Sequence, residues 1–135
     1  MKISTQTRYA IRFLYELSVN GSGQKRVTAK QAAESQGISE KYLESIAAKL
    51  CRNGYVNSIK GVGGGYALAR PIEEISVGEI IELMEKQFFE IHCVPNADTD
   101  CVNYEGCAVA DFWEEVSGVF REKTFGTKLS EVFKD

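Results

Sequence analysis

The chain has 135 residues, of which 44% are apolar and 26% charged; this composition fits one globular domain and excludes a disordered chain. No stretch approaches the roughly 20 apolar residues of a membrane span, and the first residues lack the apolar core of a signal peptide. We therefore expect a cytoplasmic protein with no membrane partner. Residues 1–70 hold eleven Lys or Arg against four Asp or Glu (net +7), and residues 71–135 hold five against fifteen (net −10). This asymmetry indicates a polyanionic partner for the basic half.

Apolar residues at helical spacing predict three helices in the basic half. The first covers residues 9–19. The second opens at Thr28 with a capping-box pattern and stops at Gly37, a residue suited to a left-handed helix end. After a three-residue turn, Ser39 is placed to cap the third helix, which Asn53-Gly54 closes.

A Gly-rich turn at residues 61–65 separates two β-prone segments, 55–60 and 66–70, and predicts a β-hairpin. A second capping-box pattern, at Ser76, begins a fourth helix that continues to about residue 87.

The remaining third of the chain combines an aperiodic segment with further helical periodicity. Residues 90–107 contain Pro, Gly and three Cys and are interpreted as a loop. Helical spacing then runs from Ala108 to Arg121, and a last short helix, Leu129 to Phe133, is predicted with Thr127 as its cap. The predicted fold class is therefore mainly α with one small β-hairpin.

The order of the first five elements is that of a winged helix-turn-helix. In this arrangement a recognition helix enters the major groove of DNA and a hairpin wing reaches the backbone or the minor groove. The alternative is a small α+β domain whose hairpin only closes a core. The basic charge of the half that carries the pattern favours DNA binding. A nucleotide-binding loop is rejected, because no Gly-Lys-Ser/Thr follows the glycines.

The candidate DNA contacts are polar residues of this motif and two glycines of its turn. They are Thr28, Ser39, Lys41, Tyr42, Glu44, Ser45, Lys60, Gly63 and Gly64. Glu44 repels phosphate but can accept a hydrogen bond from a cytosine amino group, so it is a candidate for discrimination between sequences or else an ordinary solvated side chain. Lys60 and the glycine amides are candidate phosphate contacts.

Three cysteines, Cys93, Cys101 and Cys107, are separated by seven and then five intervening residues. Clustered cysteines in a cytoplasmic chain are typical of metal binding or redox sensing. Thiolates are the common ligands of iron–sulfur clusters, whereas structural zinc sites usually contain a close C-x(2–4)-C pair, which this sequence lacks. Cys51 is interpreted as a small buried apolar residue of the third helix.

A cluster normally takes four protein ligands, so a fourth must be found. His92, the only histidine, is one candidate, although a surface histidine of the loop is the favoured interpretation. The other candidates are Asp98, Asp100, Asp111 or a residue of a second subunit.

Almost end to end, the chain resembles the Rrf-type winged-helix transcription regulators, a family with IscR-like, NsrR-like and CymR-like members. The resemblance is carried by RYA (8–10), QGISEKYLE (36–44), LCRNGYVNSIKGVGGGYALAR (50–70), ISVGEII (75–81), and the three-cysteine loop followed by FW (112–113). Three cysteines at this place are specific to the members that hold a cluster.

The resemblance implies a homodimeric transcription repressor that binds a pseudo-palindromic operator in double-stranded DNA. It implies that Cys93, Cys101 and Cys107 hold an iron–sulfur cluster, which we expect to be 2Fe–2S with 4Fe–4S as the alternative. The signal would be iron–sulfur status, redox state or nitric oxide. Residues 1–75 would then form the DNA-binding region, and residues 76–135 the cluster loop and dimerisation helix of one compact chain.

The chain departs from the family pattern at three places. Ala110 stands where IscR-type members carry a histidine ligand, Arg8 stands where some NsrR-type members carry an aspartate, and the first cysteine gap is seven residues rather than five. An alternative is therefore a cluster-free repressor in which the three cysteines form a thiol switch. An enzyme is not expected, because no base is placed near a cysteine and no cofactor fingerprint is present.

Overall fold

The computed structural model describes residues 2–21, 25–86, 88–89 and 101–133. The elements in chain order are α1 (Thr5–Asn20), α2 (Ala29–Gln36), α3 (Glu40–Arg52), β1 (Val56–Ile59), β2 (Gly65–Leu68), α4 (Val77–Met84), α5 (Ala110–Gly126) and α6 (Leu129–Val132). The predicted class, mainly helical with a small β-hairpin, is confirmed.

Hydroxyl caps set the starts of α2, α3 and α4. The side chain of Thr28 accepts a hydrogen bond from the Gln31 amide, Ser39 caps α3 in the same way, and Ser76 opens α4 with a full capping box. Gly37 ends α2 in the left-handed conformation, at φ 68°. These predicted helix ends are confirmed, since each depends on local hydrogen bonds that the sequence itself specifies.

Four predicted boundaries are wrong. α4 ends at Met84 rather than near residue 87, with Glu85 as its C-cap residue in extended conformation. α1 begins at Thr5, four residues early, because the polar Thr7 is completely buried and hides the helical period. α5 starts at Ala110 and continues to Gly126, since no proline follows Arg121 to stop it. Thr127 does not cap α6: its hydroxyl donates back to the Lys123 carbonyl at 2.7 Å, and Lys128 is the N-cap residue.

The core lies between α1, α3, α4 and the hairpin. Its largest fully buried side chains include Phe13, Leu14, Leu17, Leu43, Ile46, Leu50, Val56, Ile75 and Ile80. β1 and β2 pair antiparallel, with Val56 opposite Leu68, and Val27 forms an isolated antiparallel bridge with Tyr66. The base of the hairpin is thus fixed to the core, and its tip projects from it.

α5 is attached to the beginning of α4 by close packing and backbone hydrogen bonds. The ring of Phe125 lies against Gly78, where a Cβ atom would be 2.5 Å from the ring carbon Cδ2. The amide of Val77 donates to the Thr127 carbonyl, and the amide of Leu129 donates to the Ile75 carbonyl, both at 2.9 Å. Only a residue without a side chain permits this approach at position 78.

Glu85, which follows α4, holds the beginning of α1. Its carboxylate accepts hydrogen bonds from the backbone amide of Ser4 and from the Thr7 hydroxyl, the latter at 2.7 Å. Burial raises the pKa of Glu85, but the hydrogen bonds from Thr7 and Ser4 together outweigh it, so the net pKa is lowered. The ionised carboxylate therefore stabilises the α1–α4 contact.

Replacing Glu85 with Gln is expected to lower the free energy of unfolding at pH 7 by about 1 kcal/mol, the usual net value of a hydrogen bond. A lowered folded-state pKa stabilises the fold above the unfolded pKa, and this contribution disappears as the pH falls through the folded pKa. The difference between wild type and variant should therefore shrink as the pH falls from 7 through the lowered folded-state pKa of Glu85. Urea unfolding across this pH range measures it.

Glu82→Gln is the matched control, since Glu82 lies on the neighbouring turn of α4 and, among the described residues, its side chain makes an exposed ion pair with Arg121 at 3.6 Å. Exposed pairs of this kind contribute little, so this variant should unfold almost as the wild type does. A Glu85→Gln deficit that stayed constant with pH would contradict the assigned role of the carboxylate.

Candidate DNA interface and cysteine site

α3 buries one side and presents the other to solvent. Leu43, Ile46, Ala47 and Leu50 are buried, whereas Ser39, Lys41, Glu44 and Ser45 are exposed. The Ser39 side chain accepts from the Tyr42 amide, and the Ser45 hydroxyl donates to the Tyr42 carbonyl at 2.7 Å. Lys41 and Glu44 have no such local hydrogen bonds among the described residues, so their charged ends are available to a ligand of this surface.

Two predicted contact residues also have structural contacts. Tyr42 is half-buried, and its ring meets the ring of Tyr9 edge to face at 6.1 Å. Thr28 is half-buried and its hydroxyl caps α2. Any contact of these two side chains with DNA would use the part of each that the helix packing leaves exposed.

The hairpin tip is shaped by its glycines. Gly61 (φ 95°) and Gly63 (φ 75°) are left-handed, and a Cβ atom on Gly64 would lie 2.3 Å from the Ile59 carbonyl oxygen. The Gly64 amide donates to the Gly61 carbonyl at 3.0 Å, so this amide is used within the turn. Lys60 is exposed beside the tip, and the Gly63 amide has no comparable backbone partner in the described structure.

Exposed cations surround the helix-turn-helix and the wing. They are Lys25, Lys30, Lys41, Arg52 and Lys60. These five are among the eleven Lys and Arg that give residues 1–70 their positive balance, and their charge is suited to contact with phosphate.

The two described cysteines of the loop lead directly into α5. The Tyr104 amide donates to the Cys101 carbonyl at 3.1 Å, the Cys107 amide to the Tyr104 carbonyl at 3.1 Å, and the Ala110 amide to the Cys107 carbonyl at 3.3 Å. Both cysteines are free thiols of intermediate exposure. Two free thiols are thus carried by consecutive turns just before the helix.

The beginning of α5 has no side-chain cap. The N-cap residue, Val109, supplies no side-chain hydrogen bond, so backbone N–H groups of the first turn remain available. Free N–H groups at a helix N-terminus favour a nearby anion. Asp111, a predicted alternative ligand, is exposed in this turn.

The other predicted ligands, Cys93, His92, Asp98 and Asp100, lie outside the described residues. Within the described ranges, no group of three or more Cys, His, Asp or Glu is close enough to hold a metal ion. Cys51 is half-buried against the core, and burial raises the pKa of its thiol. It therefore behaves as a packing residue, in line with its interpretation from sequence.

Sequence reasoning missed the residues that join the segment before the loop to α5. The Ser117 hydroxyl donates to the Phe89 carbonyl at 2.8 Å, and the Arg121 guanidinium lies over the Phe89 ring at 5.1 Å and the Phe125 ring at 5.0 Å. Arg121 and Phe125 have the i, i+4 spacing of neighbours on a helix, a signal that was available. Their common partner Phe89 was not predictable, because it is distant in sequence.

α5 also presents large apolar side chains to solvent. The exposed residues of this stripe are Val109, Phe112, Trp113, Val119 and Phe120, with exposures between 36% and 58%. A row of apolar side chains on a single chain is typical of an interface with another protein chain.

A helix-turn-helix with an exposed polar recognition helix and a Gly-tipped wing, both lined by cations, defines a winged-helix DNA-binding regulator. The sequence model of the Rrf2 family, described as "Iron-dependent Transcriptional regulator", matches residues 3–135. The chain therefore belongs to the Rrf2 family of transcriptional regulators, which confirms the resemblance found in the sequence. None of the helices in the described part of the chain is long and apolar enough to cross a membrane.

Individual relatives agree with the family. The transcriptional regulator IscR of Cereibacter sphaeroides is 35% identical over 137 aligned residues, which cover 100% of this chain and 88% of the relative. Among solved structures, T. potens IscR superposes with a TM-score of 0.74 at 31% identity, covering 98% of this chain and 85% of the other. The oxidised form of Staphylococcus aureus CymR superposes with a TM-score of 0.75 at 31% identity, covering 100% of this chain and 99% of the other. These relatives are transcriptional regulators and not enzymes.

Proposed function

We propose that this Rrf2-family regulator is a homodimeric repressor whose DNA binding depends on an iron–sulfur cluster held by Cys93, Cys101 and Cys107. The observation that carries the proposal is the pair of free, partly exposed thiols at the uncapped beginning of α5. The same helix carries the exposed apolar stripe, which suits burial against its copy in a second subunit. Similarity to IscR over the whole chain supports the cluster.

The residues present fit such a cluster. Cys101 and Cys107 supply two sulfur donors that no disulfide occupies, and the free N–H groups at the beginning of α5 can donate to an anionic centre. When bound, the cluster supplies a centre that responds to iron–sulfur status, redox state or nitric oxide. Asp111, His92, Asp98, Asp100 or a partner residue provides the fourth ligand, and 2Fe–2S remains our expectation over 4Fe–4S.

A continuous series of contacts joins the cysteine site to the DNA-binding surface. α5 contacts α4 through Phe125 and Gly78, and α4 is joined to α1 through Glu85 and Thr7. α1 in turn packs on α3 and β2. A rearrangement beside Cys107 can therefore alter the position of α3, and by linkage DNA binding must alter the stability of the cluster to the same degree.

On the DNA, the two α3 helices of a dimer would enter successive major grooves of a pseudo-palindromic operator, and the wings would contact the backbone. Residues 1–75 would supply this surface, whereas residues 76–135 would sense and dimerise. The acidic charge of the second part would keep it away from phosphate, which suits a cytoplasmic regulator with one DNA-facing side.

Glu44→Ala is expected to relax sequence choice more than it weakens binding. The exposed carboxylate repels phosphate and can accept from a cytosine amino group, so its removal should cost about 1–3 kcal/mol of discrimination at that base pair. Competition binding with the operator and with single-base variants measures the effect. Equal losses on operator and random DNA would refute the assignment of Glu44 as a reader of sequence.

Lys60→Ala is expected to weaken binding to all sequences alike and to reduce the salt slope by about one unit, because one phosphate contact is lost. Titrations at several salt concentrations test this. Lys123→Ala removes an equally exposed lysine from α5, and it should leave the slope unchanged. A change confined to one operator position would argue against a phosphate contact of Lys60.

The proposal as a whole is tested on protein purified without oxygen. Iron and acid-labile sulfide should accompany the chain, and a gel shift of the operator should differ between the protein with its cluster and the same protein after cluster removal. A colourless protein that binds no iron after reconstitution would overturn the cluster.

That outcome would favour the second candidate, a thiol switch on the same cysteines. Cys101 and Cys107 are both free and partly exposed, as a reversible disulfide requires. S. aureus CymR, which is similar over the whole chain, has been crystallised in an oxidised form. Counting free thiols before and after mild oxidation, with operator binding measured in each state, distinguishes the two candidates.

A further inference from the structure

Glu79, in the first turn of α4, has contacts beyond the cap of its own helix. Its carboxylate oxygen Oε2 accepts from the Ser76 amide at 2.7 Å, which closes the capping box. Its other oxygen, Oε1, accepts from the Arg70 guanidinium at 3.2 Å and from the Tyr55 hydroxyl at 3.4 Å. One oxygen thus caps α4, and the other contacts two side chains outside that helix.

Those two side chains lie at the two ends of the hairpin. Tyr55 directly precedes β1, Arg70 follows β2 by two residues, and the Ala69 amide donates to the Tyr55 carbonyl at 3.0 Å. The Arg70 guanidinium also lies over the Tyr55 ring at 5.2 Å and donates to the Glu74 carbonyl at 3.2 Å. A single carboxylate of α4 is therefore bonded to both ends of the wing.

The capping box of α2 shows that a helix cap of this kind does not require a carboxylate. There the corresponding residue is Gln31, whose side-chain oxygen accepts from the Thr28 amide at 2.9 Å. What a carboxylate adds at position 79 is the ion pair with Arg70. Burial raises the pKa of Glu79, but hydrogen bonds from Ser76 and Arg70 outweigh it, so the net pKa is lowered and the charge is kept at neutral pH.

We propose that Glu79 is a positioning residue for the wing and sets the angle at which the wing tip stands relative to α3. β1 has four residues, so a tilt of about 20° at its base would move the tip by about 4–5 Å, which is more than the length of a hydrogen bond. Lys60 at the tip would then lose a phosphate contact. The inference rests on the proposed contact between the wing and DNA, whereas the attachment of the wing to α4 does not.

The residue before Glu79 in α4 is the one that α5 contacts. The Phe125 ring of α5 lies against Gly78. The helix that follows the cysteine loop and the base of the wing therefore meet α4 at consecutive residues. A displacement of α5 can reach the wing directly through α4, without passing through α1.

The first test measures the attachment of the wing in the full chain without DNA. Glu79→Gln keeps an acceptor for the Ser76 amide, so α4 stays capped, but it removes the ion pair with Arg70. Hydrogen exchange of the Ala69 amide should become about two- to fivefold faster, the effect of losing a partly exposed ion pair. Glu82→Gln removes the same charge one turn further along α4, and it should leave this exchange rate unchanged.

The second test measures operator binding over a range of salt concentrations. By charge alone, removing a carboxylate should strengthen binding to DNA, as Glu82→Gln is expected to do slightly. Glu79→Gln should instead weaken binding and reduce the salt slope by about one unit, as Lys60→Ala does. Adding Lys60→Ala to Glu79→Gln should cause little further loss, because the lysine no longer contacts phosphate.

Arg70→Lys guards against an effect on the cap of α4. It keeps the capping box and the positive charge, but one ammonium group cannot reach both the Glu79 carboxylate and the Glu74 carbonyl as the guanidinium does. Exchange rate and salt slope should change in the same direction as in Glu79→Gln. The proposal is overturned if Ala69 exchanges at the wild-type rate in Glu79→Gln, or if Lys60→Ala reduces the slope equally with and without Glu79→Gln. Failure of the wild type to bind operator DNA would instead refute the proposed function, and the exchange rates would still test the attachment of the wing.

Discussion

Cys107→Ser protein, purified without oxygen, is expected to lack the iron, the sulfide and the visible absorption of the wild type. Serine keeps the shape of the side chain, but its hydroxyl is a poor ligand for iron compared with a thiolate. Because Cys107 lies in the turn that enters α5, the variant should keep its fold and bind the operator as the cluster-free wild type does. Metal analysis, absorption spectra and gel shifts measure these quantities together.

Cys51→Ser is the matched control for this experiment. Cys51 lies in α3, half-buried against the core, so its replacement should leave the iron content unchanged. The same expectation applies to Cys101→Ser as to Cys107→Ser, since the two cysteines occupy equivalent turns. Wild-type iron content in either loop variant would remove that cysteine from the ligand set.

Gly78→Ala is expected to separate α5 from α4. The new methyl group would lie 2.5 Å from the Phe125 ring and 2.8 Å from the Phe125 backbone nitrogen, and the backbone atom cannot move away without displacing the helix. Overpacking of this kind typically costs about 1–3 kcal/mol, and here it acts where α5 is anchored. The variant should unfold at lower urea, dimerise more weakly and lose the response of DNA binding to the cluster.

Gly118→Ala provides the comparison, because a Cβ atom there would meet nothing within 4 Å. The same substitution within the exposed part of α5 should stabilise the helix by about 0.5–1 kcal/mol. Urea unfolding and sedimentation equilibrium of both variants distinguish a packing effect from a general effect of removing glycine. A Gly78→Ala protein with the stability and association of the wild type would contradict the close contact with Phe125.

Most of the fold was predictable from local sequence signals such as helix caps. The caps at Thr28, Ser39 and Ser76 and the left-handed Gly37 are each decided by residues three or four positions apart, and all four were predicted correctly. The start of α1 was missed although it is also set locally, by the Ser4 side chain that accepts from the Thr7 amide. The hydrogen bond from the buried Thr7 hydroxyl to Glu85, 78 residues away, is recorded by no local pattern.

In the candidate site too, features set by neighbouring residues were predictable and features set by tertiary packing were not. The exposed side of α3 followed from periodicity, whereas the internal use of the Gly64 amide depends on the exact turn that the glycines form. The need for glycine at position 78 and the link from Phe89 to Arg121 result from helix packing between distant segments. The burial of Gln36 likewise required coordinates, since a polar residue at a helix end is usually exposed.

The attachment of both sides of the cysteine loop to one helix has a consequence for how this loop can evolve. Phe89 is held by Ser117 and Arg121, and Tyr104 donates to the Glu114 carboxylate, so the chain leaves and rejoins the same side of the molecule. Lengthening a loop between fixed ends costs little, about 0.6 kcal/mol for each doubling. Residues could therefore be inserted between Cys93 and Cys101 at little cost to the helices. The spacing of the cysteines is thus free to change while the rest of the fold stays as it is.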